Sequence, residues 1–313
     1  MDNLCHTLVG VTLAQAGFKS RTGRAVLTGA IAANLPDLDV LVFLTDVPSV
    51  AFRRGITHGV PAQILLPIGL AAAMTALGGR GRRFDDRPPH FGWLLALSYF
   101  GVLTHVYMDL LNTYGVRLLS PLSQRWFYGD AVFIIDPVLW IVLGAGAWSA
   151  RKRGPLYARL AILTACLYIG GMVASARAAR AIVLEAWTAR AGTAPQALMV
   201  GPAPFSLHRK TVIVDAGDHY VEGTFRWFPA TVQFSDARTP KNDTAAGVTE
   251  VRDDRDVAGL LVWSRFPFWR VTETPSGRAV TLGDMRFKDG PGRGAFRVTV
   301  ETSNVEGRTT KER

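Results

Sequence analysis

The sequence predicts an α-helical membrane domain of about five to six helices, followed by a small antiparallel β domain. First, 49% of the 313 residues are hydrophobic, and nearly all of the long apolar runs lie in residues 1–180. Second, short β-prone runs separated by Gly, Pro, Asp and Asn begin near residue 206, a pattern typical of antiparallel strands. The predicted parts are a membrane-embedded helical domain (1–191), a linker (192–204), a β-rich soluble domain (205–302) and a disordered tail (303–313).

Six apolar segments make up the predicted helical domain. A helix needs about 20 predominantly apolar residues to cross a bilayer, so the short first segment is expected to be partly embedded. The Ala-rich residues 176–191 are expected to carry the last helix out of the membrane, and three prolines mark the linker that follows. The six segments are 4–18, 24–44, 59–78, 92–113, 132–149 and 156–175.

Seven runs in the C-terminal part are predicted to be strands. Their β-branched and aromatic residues are enriched in strands, and turn-forming residues separate them. The runs are 211–214, 220–228, 231–234, 259–263, 269–272, 279–282 and 296–301.

Charge and cysteine content exclude several classes of protein. The net charge of +10 would suit a nucleic-acid-binding protein, but the basic residues lie in short loops between apolar runs, as in a membrane protein. We therefore expect the lipid bilayer as a partner and no nucleic acid. Cys5 and Cys166 form no pair motif and are expected in the core. The N-terminus lacks the basic region of a signal peptide, so the first segment is expected to be retained.

Acidic residues stand where the second apolar segment should leave the membrane. Asp37 and Asp39 flank Leu38, and Pro36 disrupts regular helix just before them. Carboxylates at the end of an apolar span are costly and need partners. The remaining segments offer such partners: His6, His58 and the pair His105 and Asp109, which lie four residues apart on one helix face.

Alternation of the six segments across the membrane places all of these polar residues on one side. The opposite side carries ten Lys and Arg residues in its loops, against four on the polar side. Because basic loops face the cytoplasm, we expect the His and Asp residues, together with the β domain, to face the periplasm or the outside of the cell.

These side chains predict a metal centre at one membrane face. Imidazole nitrogens and carboxylate oxygens suit zinc or another first-row divalent ion, and six donors are enough for one to three ions. The predicted ligands are His6, Asp37, Asp39, His58, His105 and Asp109.

Such a centre suggests hydrolysis by activated water. Asp37 and Asp39 are the predicted catalytic groups, and weaker candidates for a supporting role are Asn34, Asn112, Asp130 and Asp136. The alternative for each residue is structural, because a single His in an apolar helix is often a packing residue and an Asp at a helix end is often a cap.

Other polar residues are expected to lie outside the centre. His90 falls on the basic side, and His208 and His219 are expected at the surface of the β domain. Asp284 and Arg286 are expected to form a structural pair. The sequence contains no GxSxG, P-loop or HExxH motif.

Several motifs in the sequence form a recognisable set. They are Asp2-xxx-His6, Asn34 to Asp39, Arg54 to His58, His105-xxx-Asp109-xx-Asn112 with Gly115, and, beyond residue 180, Arg265 to Trp269 and Gly283 to Phe287. These motifs resemble those of the YdjM-type bacterial inner-membrane metal-dependent hydrolases. The order His, Asp, His, His-xxx-Asp is also similar to the zinc-dependent phospholipase C and single-strand nuclease superfamily, which is helical and hydrolyses phosphoesters.

The resemblance implies a set of metal ligands, namely His6, Asp37 or Asp39, His58, His105 and Asp109. Unlike that superfamily, the chain has no His between residues 106 and 207. It is therefore expected either to bind fewer metals or to use Asp130 or Asp136 instead.

Three functions follow as hypotheses. The first is a hydrolase that cleaves a phosphoester, which can be lipid-linked since the site lies at the membrane face. The second is a non-enzymatic membrane protein with a structural metal site and a β module for partner binding. The third is a transporter, which is disfavoured because its polar residues should lie at mid-bilayer in several helices.

Overall fold

A computed structural model describes residues 1–77, 87–275, 277–289, 293–303 and 309–310. It confirms the predicted fold class, because a helical N-terminal region is followed by antiparallel sheets. The chain divides into two compact units. The first contains residues 1–41, 53–177 and 201–207, and the second contains residues 42–52, 178–200 and 208–313.

The helices are numbered along the whole chain. Short 3₁₀ helices accompany them at Phe18–Ser20, Leu35–Leu44 and Ile56–His58. The α-helices of the N-terminal region are α1 (Asn3–Ala16), α2 (Ala25–Ala32), α3 (Ser49–Phe52), α4 (Val60–Ala76), α5 (Phe91–Leu110), α6 (Pro137–Arg153) and α7 (Leu156–Ala191).

Aspartates cap the N-termini of two of these helices, α1 and α6. The carboxylate of Asp2 accepts a hydrogen bond from the Cys5 N–H and caps α1. Asp136 caps α6 in the same way, and Pro137 follows at the first helical position, where its missing N–H costs nothing. Asp136 also accepts a hydrogen bond from the hydroxyl of Tyr168 at 2.6 Å, so it is a structural residue of the helix packing.

Glycines allow three helices of the first unit to approach closely. A Cβ added to Gly10 of α1 would lie 2.0 Å from the carbonyl oxygen of Gly29 in α2. A Cβ on Gly101 of α5 would lie 2.5 Å from the Cβ of Ala32. Backbone therefore meets backbone where α1 crosses α2 and where α2 crosses α5.

Two helices within the described residues are long and apolar enough to cross a membrane, α5 and α7. The number rises to four if each of two bent pairs forms one span. The first pair, α2 and Leu35–Leu44, bends by 54°, and the second, Ser49–His58 and α4, bends by 66°. With 14 and 17 residues, α1 and α6 are shorter than a usual span. Residue 78, the end of the third predicted segment, lies outside the described residues.

The second unit contains two four-stranded sheets. The first sheet has the order β1-β2-β3-β4 and the second the order β5-β6-β7-β8, and the pairs from β2 to β4 and from β5 to β8 are antiparallel. The strands are β1 (Ala197–Pro202), β2 (Arg209–Asp215), β3 (His219–Arg226), β4 (Thr231–Pro240), β5 (Pro267–Thr274), β6 (Gly277–Asp284), β7 (Arg297–Ser303) and β8 (Thr309–Thr310).

One predicted strand is a helix in the structure, and two strands lie outside the predicted β domain. Residues 259–263, predicted as a strand, belong to the helix α9 (Arg255–Trp263), which follows the short helix α8 (Val248–Val251). The buried side chains of α9 recur at the helical spacing, at Val257, Leu260 and Trp263, and tertiary packing outweighs their β propensity. Strand β1 occupies part of the predicted linker 192–204, and β8 lies in the predicted disordered tail.

Residues 178–191 of α7 pack within the second unit. Ala179, Val183 and Trp187 form an apolar cluster with the first sheet, including Val212 and Phe225. Their regular spacing places them on one helix face, so the last turns of this long helix contribute core to the β unit.

Single polar residues follow most of the expectations. Asp284 and Arg286 form the expected buried pair at 2.8 Å. Burial favours a raised pKa for the Asp284 carboxyl, but the neighbouring guanidinium outweighs burial and holds this pKa below its ordinary value. Cys5 is buried as predicted, whereas Cys166 is exposed on α7, where an apolar helix face can meet lipid. His90 and His208 are exposed, and His219 is half-buried beside Asp218.

Candidate metal centre

Three segments of the first unit bring together the predicted metal ligands. Helix α5 presents His105 and Asp109 one turn apart on its buried face. The 3₁₀ helix that begins at Leu35 presents Asp37, because the bend after α2 turns the chain inward. His58 ends the 3₁₀ turn Ile56–His58 just before α4.

Four of these residues form one group of donors. Asp37, His58, His105 and Asp109 each offer one ligand atom, and these atoms all lie within 4.8 Å of one another. All four residues are buried. Such a cluster can hold a metal ion, and burial of two carboxylates beside imidazoles needs a cation for compensation.

The separations of the donor atoms fit a small divalent ion. The Nε2 atom of His58 lies 3.2 Å from that of His105 and 3.4 Å from Oδ2 of Asp109. His105 Nε2 lies 3.6 Å from Asp109 Oδ2 and 3.8 Å from Asp37 Oδ1. A tetrahedral ion with metal–donor bonds of about 2.0–2.1 Å separates its donors by roughly 3.3–3.5 Å. The observed distances are therefore close to those of a zinc-like site.

Hydrogen bonds hold both histidine rings with Nε2 facing the group. His105 Nδ1 lies 2.7 Å from the carbonyl oxygen of Ala33, so Nδ1 carries the proton and the lone pair of Nε2 faces the cluster. His58 Nδ1 lies 3.0 Å from the hydroxyl oxygen of Thr57 and 3.6 Å from Oδ2 of Asp39. Outer partners of this kind fix the orientation of metal-binding imidazoles.

Asp39 lies on the Nδ1 side of the His58 ring, whereas the other three donors lie on its Nε2 side. Its Oδ2 accepts hydrogen bonds from the backbone N–H of Arg54 at 2.7 Å and from the Thr57 hydroxyl at 3.2 Å. The structure therefore places Asp39 where it supports His58, and its predicted role as a direct ligand and catalytic group stays a prediction.

His6 lies beside the group, on the other oxygen of Asp109. Its ring stacks on His105 with the centroids 3.8 Å apart, and its Nε2 lies 3.4 Å from Asp109 Oδ1. The ring is fully buried, and neither nitrogen has a hydrogen-bond partner among the described residues. An orphaned buried imidazole is costly, so His6 is a suitable further ligand.

Asp109 is the most enclosed carboxylate of the centre. The guanidinium of Arg54 contacts both oxygens of this carboxylate. Its NH2 donates to Oδ1 at 3.0 Å, and its Nε lies 3.0 Å from Oδ2. The amine of Met1 also contacts Oδ1. Oδ2 accepts no hydrogen bond from the described residues, although the two imidazoles face it. This oxygen is therefore suited to an ion.

The four weaker candidates have different surroundings. The side-chain amide of Asn34 donates to Thr7 and to the carbonyl of Ala30, and that of Asn112 accepts from Arg54 at 3.0 Å. Asp130 has a left-handed backbone with φ +50° and lies outside the four-donor group, as does the helix cap Asp136.

Arg53 and Arg54 lie at the centre and are not among the predicted site residues. Arg54 is 4% exposed, and its NH1 reaches Asn112 while its guanidinium lies 4.6 Å from the ring centre of Tyr114. Arg53 lies near Asp37 and Asp39. The signal was present in the sequence, because both residues directly precede the Gly-x-Thr-His run and lie on the side that is poor in basic residues.

The fold and this centre define an α-helical membrane protein with a buried cluster of His and Asp side chains that can hold a metal ion. Residues 1–178 match the family described as YdjM inner membrane protein. The chain belongs to this family, which confirms the family predicted from the motifs, whereas the metal-dependent hydrolase activity stays a prediction. It is also similar to YfhP of Bacillus subtilis (strain 168), described as an uncharacterized protein, with 21% identity over 301 residues that cover 92% of this chain and 87% of the relative. No solved structure matches the chain. The distant resemblance to the phospholipase C superfamily stays a prediction.

Proposed function

We propose that this protein is a membrane-bound metal-dependent hydrolase that cleaves a phosphoester with metal-activated water. The observation that supports it best is the set of four buried donor atoms within 4.8 Å of one another. Two imidazole nitrogens and two carboxylate oxygens favour zinc as the ion. When bound, such an ion polarises a phosphoryl oxygen and lowers the pKa of a water molecule.

The residues of the chain take different parts in this proposal. Asp37 is the most exposed of the four donors, at 8%, so substrate and water approach on its side, and its carboxylate is the group placed to accept a proton. His58 and His105 are held by Thr57 and by the carbonyl of Ala33. Arg54 compensates the charge of Asp109 from the inner side.

Exposed apolar residues beside the centre support a lipid-linked substrate. Leu38, between the two aspartates, is 48% exposed, and Leu41 follows on the same 3₁₀ helix. Ile56 lies two residues before His58 and is also exposed. Apolar surface of this kind marks contact with a membrane or an apolar ligand. A head group at the centre with its tails along these residues fits the arrangement.

The proposed location is the inner membrane, with the centre and the β domain on the outer side. The support is the family and the excess of basic residues in the opposite loops, ten against four.

A second candidate function is a structural metal site in a non-enzymatic membrane protein. Structural zinc sites have four protein ligands, whereas catalytic sites keep a position open for water. The four-donor group, with His6 next to it, favours this alternative. The two candidates differ in whether metal removal unfolds the protein or only abolishes hydrolysis.

The test begins with metal analysis of the full chain purified in detergent. We expect one to three equivalents of zinc or a similar ion in the wild type, lost in Asp37→Asn and His105→Gln. Asp130→Asn is the matched control, because it makes the same chemical change outside the donor group, and it should retain the metal. The zinc-loaded protein is then screened against phosphoesters with and without acyl chains.

A wild type that is folded but takes up no metal would refute both candidates. Metal that survives both ligand substitutions would refute the assignment of the site. Phosphoester hydrolysis that is lost in His105→Gln at an unchanged melting temperature supports the hydrolase. Bound metal without hydrolysis of any phosphoester, with unfolding on chelation, supports the structural alternative.

A further inference from the structure

We propose that Arg53 binds the phosphate group of the substrate, which makes the ligand of this centre an anionic phosphate compound. This inference rests on the proposed function and specifies its substrate class. It starts from two adjacent arginines that have different environments at the same site.

The two guanidinium groups contact different aspartates. Arg54 has a left-handed backbone, with φ +54°, and its side chain is 5% exposed against the fully buried Asp109. The side chain of Arg53 is 28% exposed and lies over Asp37 and Asp39. Arg54 is therefore an internal counter-charge, and Arg53 is the cation at the entrance.

Arg53 makes long contacts with the two aspartates. Its NH2 lies 3.7 Å from Asp37 Oδ1, and its Nε donates a hydrogen bond of 3.4 Å to Asp39 Oδ1. A charge-assisted hydrogen bond between guanidinium and carboxylate is about 2.7–2.9 Å long. Both contacts are longer than this, and they keep the guanidinium within reach of the donor group.

The charge balance of the centre favours an anion once an ion is present. The three carboxylates of Asp37, Asp39 and Asp109 are matched by three cationic groups, which are the guanidinium groups of Arg53 and Arg54 and the amine of Met1. A divalent ion would make this balance positive. It also takes up the charge of Asp37, which weakens the hold of this carboxylate on Arg53.

The shape of the guanidinium then selects the anion. Its planar fork of N–H donors matches two oxygens of a phosphate, which a single ammonium group cannot do. A phosphate with one oxygen toward the donor group and two toward Arg53 satisfies both. A neutral carboxylic ester offers no charge for Arg53.

The experiment is calorimetric titration of inorganic phosphate into the zinc-loaded full chain in detergent. Arg53→Gln should weaken phosphate binding by about tenfold or more, while zinc content and melting temperature stay unchanged. Arg53→Lys keeps the charge but not the fork and should bind with intermediate affinity. Arg125→Gln is the matched control, because it removes one exposed positive charge from a loop of the same unit, and it should bind like the wild type.

Several results would overturn the role of Arg53. These are equal phosphate affinity in Arg53→Gln, an equal loss in Arg125→Gln, loss of zinc from Arg53→Gln, or no phosphate binding to zinc-loaded wild type. Chelation of zinc should weaken phosphate binding to the wild type, and unchanged binding after chelation would also overturn it. Failure of the proposed function looks different, since the wild type would then either hold no metal or hold metal without hydrolysing any phosphoester.

Two further ligands distinguish the source of the phosphate. Glycerol 3-phosphate and dihexanoyl phosphatidic acid, below its micellar concentration, carry the same phosphate group without and with short acyl chains. Tighter binding of the acylated compound identifies a lipid head group, and equal binding identifies a soluble phosphate compound. In either case Arg53→Gln should lose affinity for both ligands, and affinity retained for both would overturn the proposal.

Discussion

Replacement of Arg54 by Met should destabilise the metal-free protein far more than the zinc-loaded protein. Arg54 contacts both oxygens of Asp109 at 3.0 Å and reaches Asn112 at 3.0 Å. Asp109 is 0% exposed, so its carboxylate would be left buried without its guanidinium partner. Breaking a buried pair in this way costs about 3–5 kcal/mol.

The loss should be smaller when an ion is bound, since the ion compensates the same carboxylate. In a chain of this size, 3–5 kcal/mol corresponds to a fall of roughly 6–20 °C in melting temperature. We expect the melting temperature to fall by that amount without metal. Excess zinc should restore the larger part of the loss, because an ion that binds only the folded state stabilises that state. Thermal unfolding of the full chain in detergent, with chelator or with zinc, measures both values.

Arg117→Met is the matched control for this prediction. Arg117 is also buried, but it donates to Gln124 at 2.6 Å and lies 5.0 Å from the ring centre of Trp126. Its replacement should cost the same with and without zinc. An equal fall for Arg54→Met in both conditions would refute the argument that Arg54 and the ion compensate the same carboxylate.

Three further predictions test other parts of the molecule. Lys210 is fully buried opposite Phe225, its amine has no hydrogen-bond partner among the described residues, and burial lowers its pKa. Lys210→Met should therefore raise the free energy of unfolding by about 1–3 kcal/mol. This gain is largest below the lowered pKa of Lys210 and shrinks as the pH rises toward 10.5. A loss of stability in thermal unfolding at pH 7 would contradict the prediction. Gly10→Ala should destabilise by about 1–3 kcal/mol through overpacking against Gly29, whereas Gly69→Ala, with open space around its Cβ position, should be neutral or slightly stabilising in the same melts. Alkaline phosphatase fused to the C-terminus should be active, because this enzyme matures only outside the cytoplasm, and activity of a fluorescent cytoplasmic reporter instead would contradict the proposed orientation.

The convergence of four donors could be predicted in part from helical periodicity. The spacing of His105 and Asp109 places them on one face of any helix, and the four-donor group contains both. Asp37 and His58 lie next to the ends of apolar segments, which favours their meeting the same pair. The alternation of six segments across the membrane, which also supports that expectation, stays a prediction.

The internal order of the site could not be predicted from the sequence. Asp37 and Asp39 are the same residue type two positions apart, so the sequence does not distinguish them. The turn of the 3₁₀ helix places Asp37 among the donors and Asp39 beside Nδ1 of His58. The burial of Arg54 depends on the left-handed backbone at that residue. The surrounding structure sets a single backbone angle of this kind, so the local sequence does not predict it.

The β unit shows the same limit in its secondary structure. The run from Gly259 to Trp263 has the composition of a strand, yet the close fit of Gly259 against Pro48 and the burial of Leu260 belong to a helix. A Cβ on Gly259 would lie 2.4 Å from the Cβ of Pro48. Gly259 and Pro48 are more than 200 positions apart in the chain, so the sequence around Gly259 does not predict this contact.

The glycine contacts of the helices also set the tolerance of the metal centre. His6 lies four residues before Gly10, and His105 lies four residues after Gly101, so each histidine is one turn from a backbone contact. A slip of one helical turn moves a side chain by about 5.4 Å, more than the 4.8 Å that separates the donors at most. Metal retention therefore reports the registration of the helices. Conditions that loosen α5 from α2 should therefore change the affinity for the ion before the chain unfolds, because α5 carries His105 and Asp109 while Asp37 follows α2. Metal release followed alongside thermal unfolding would reveal this change.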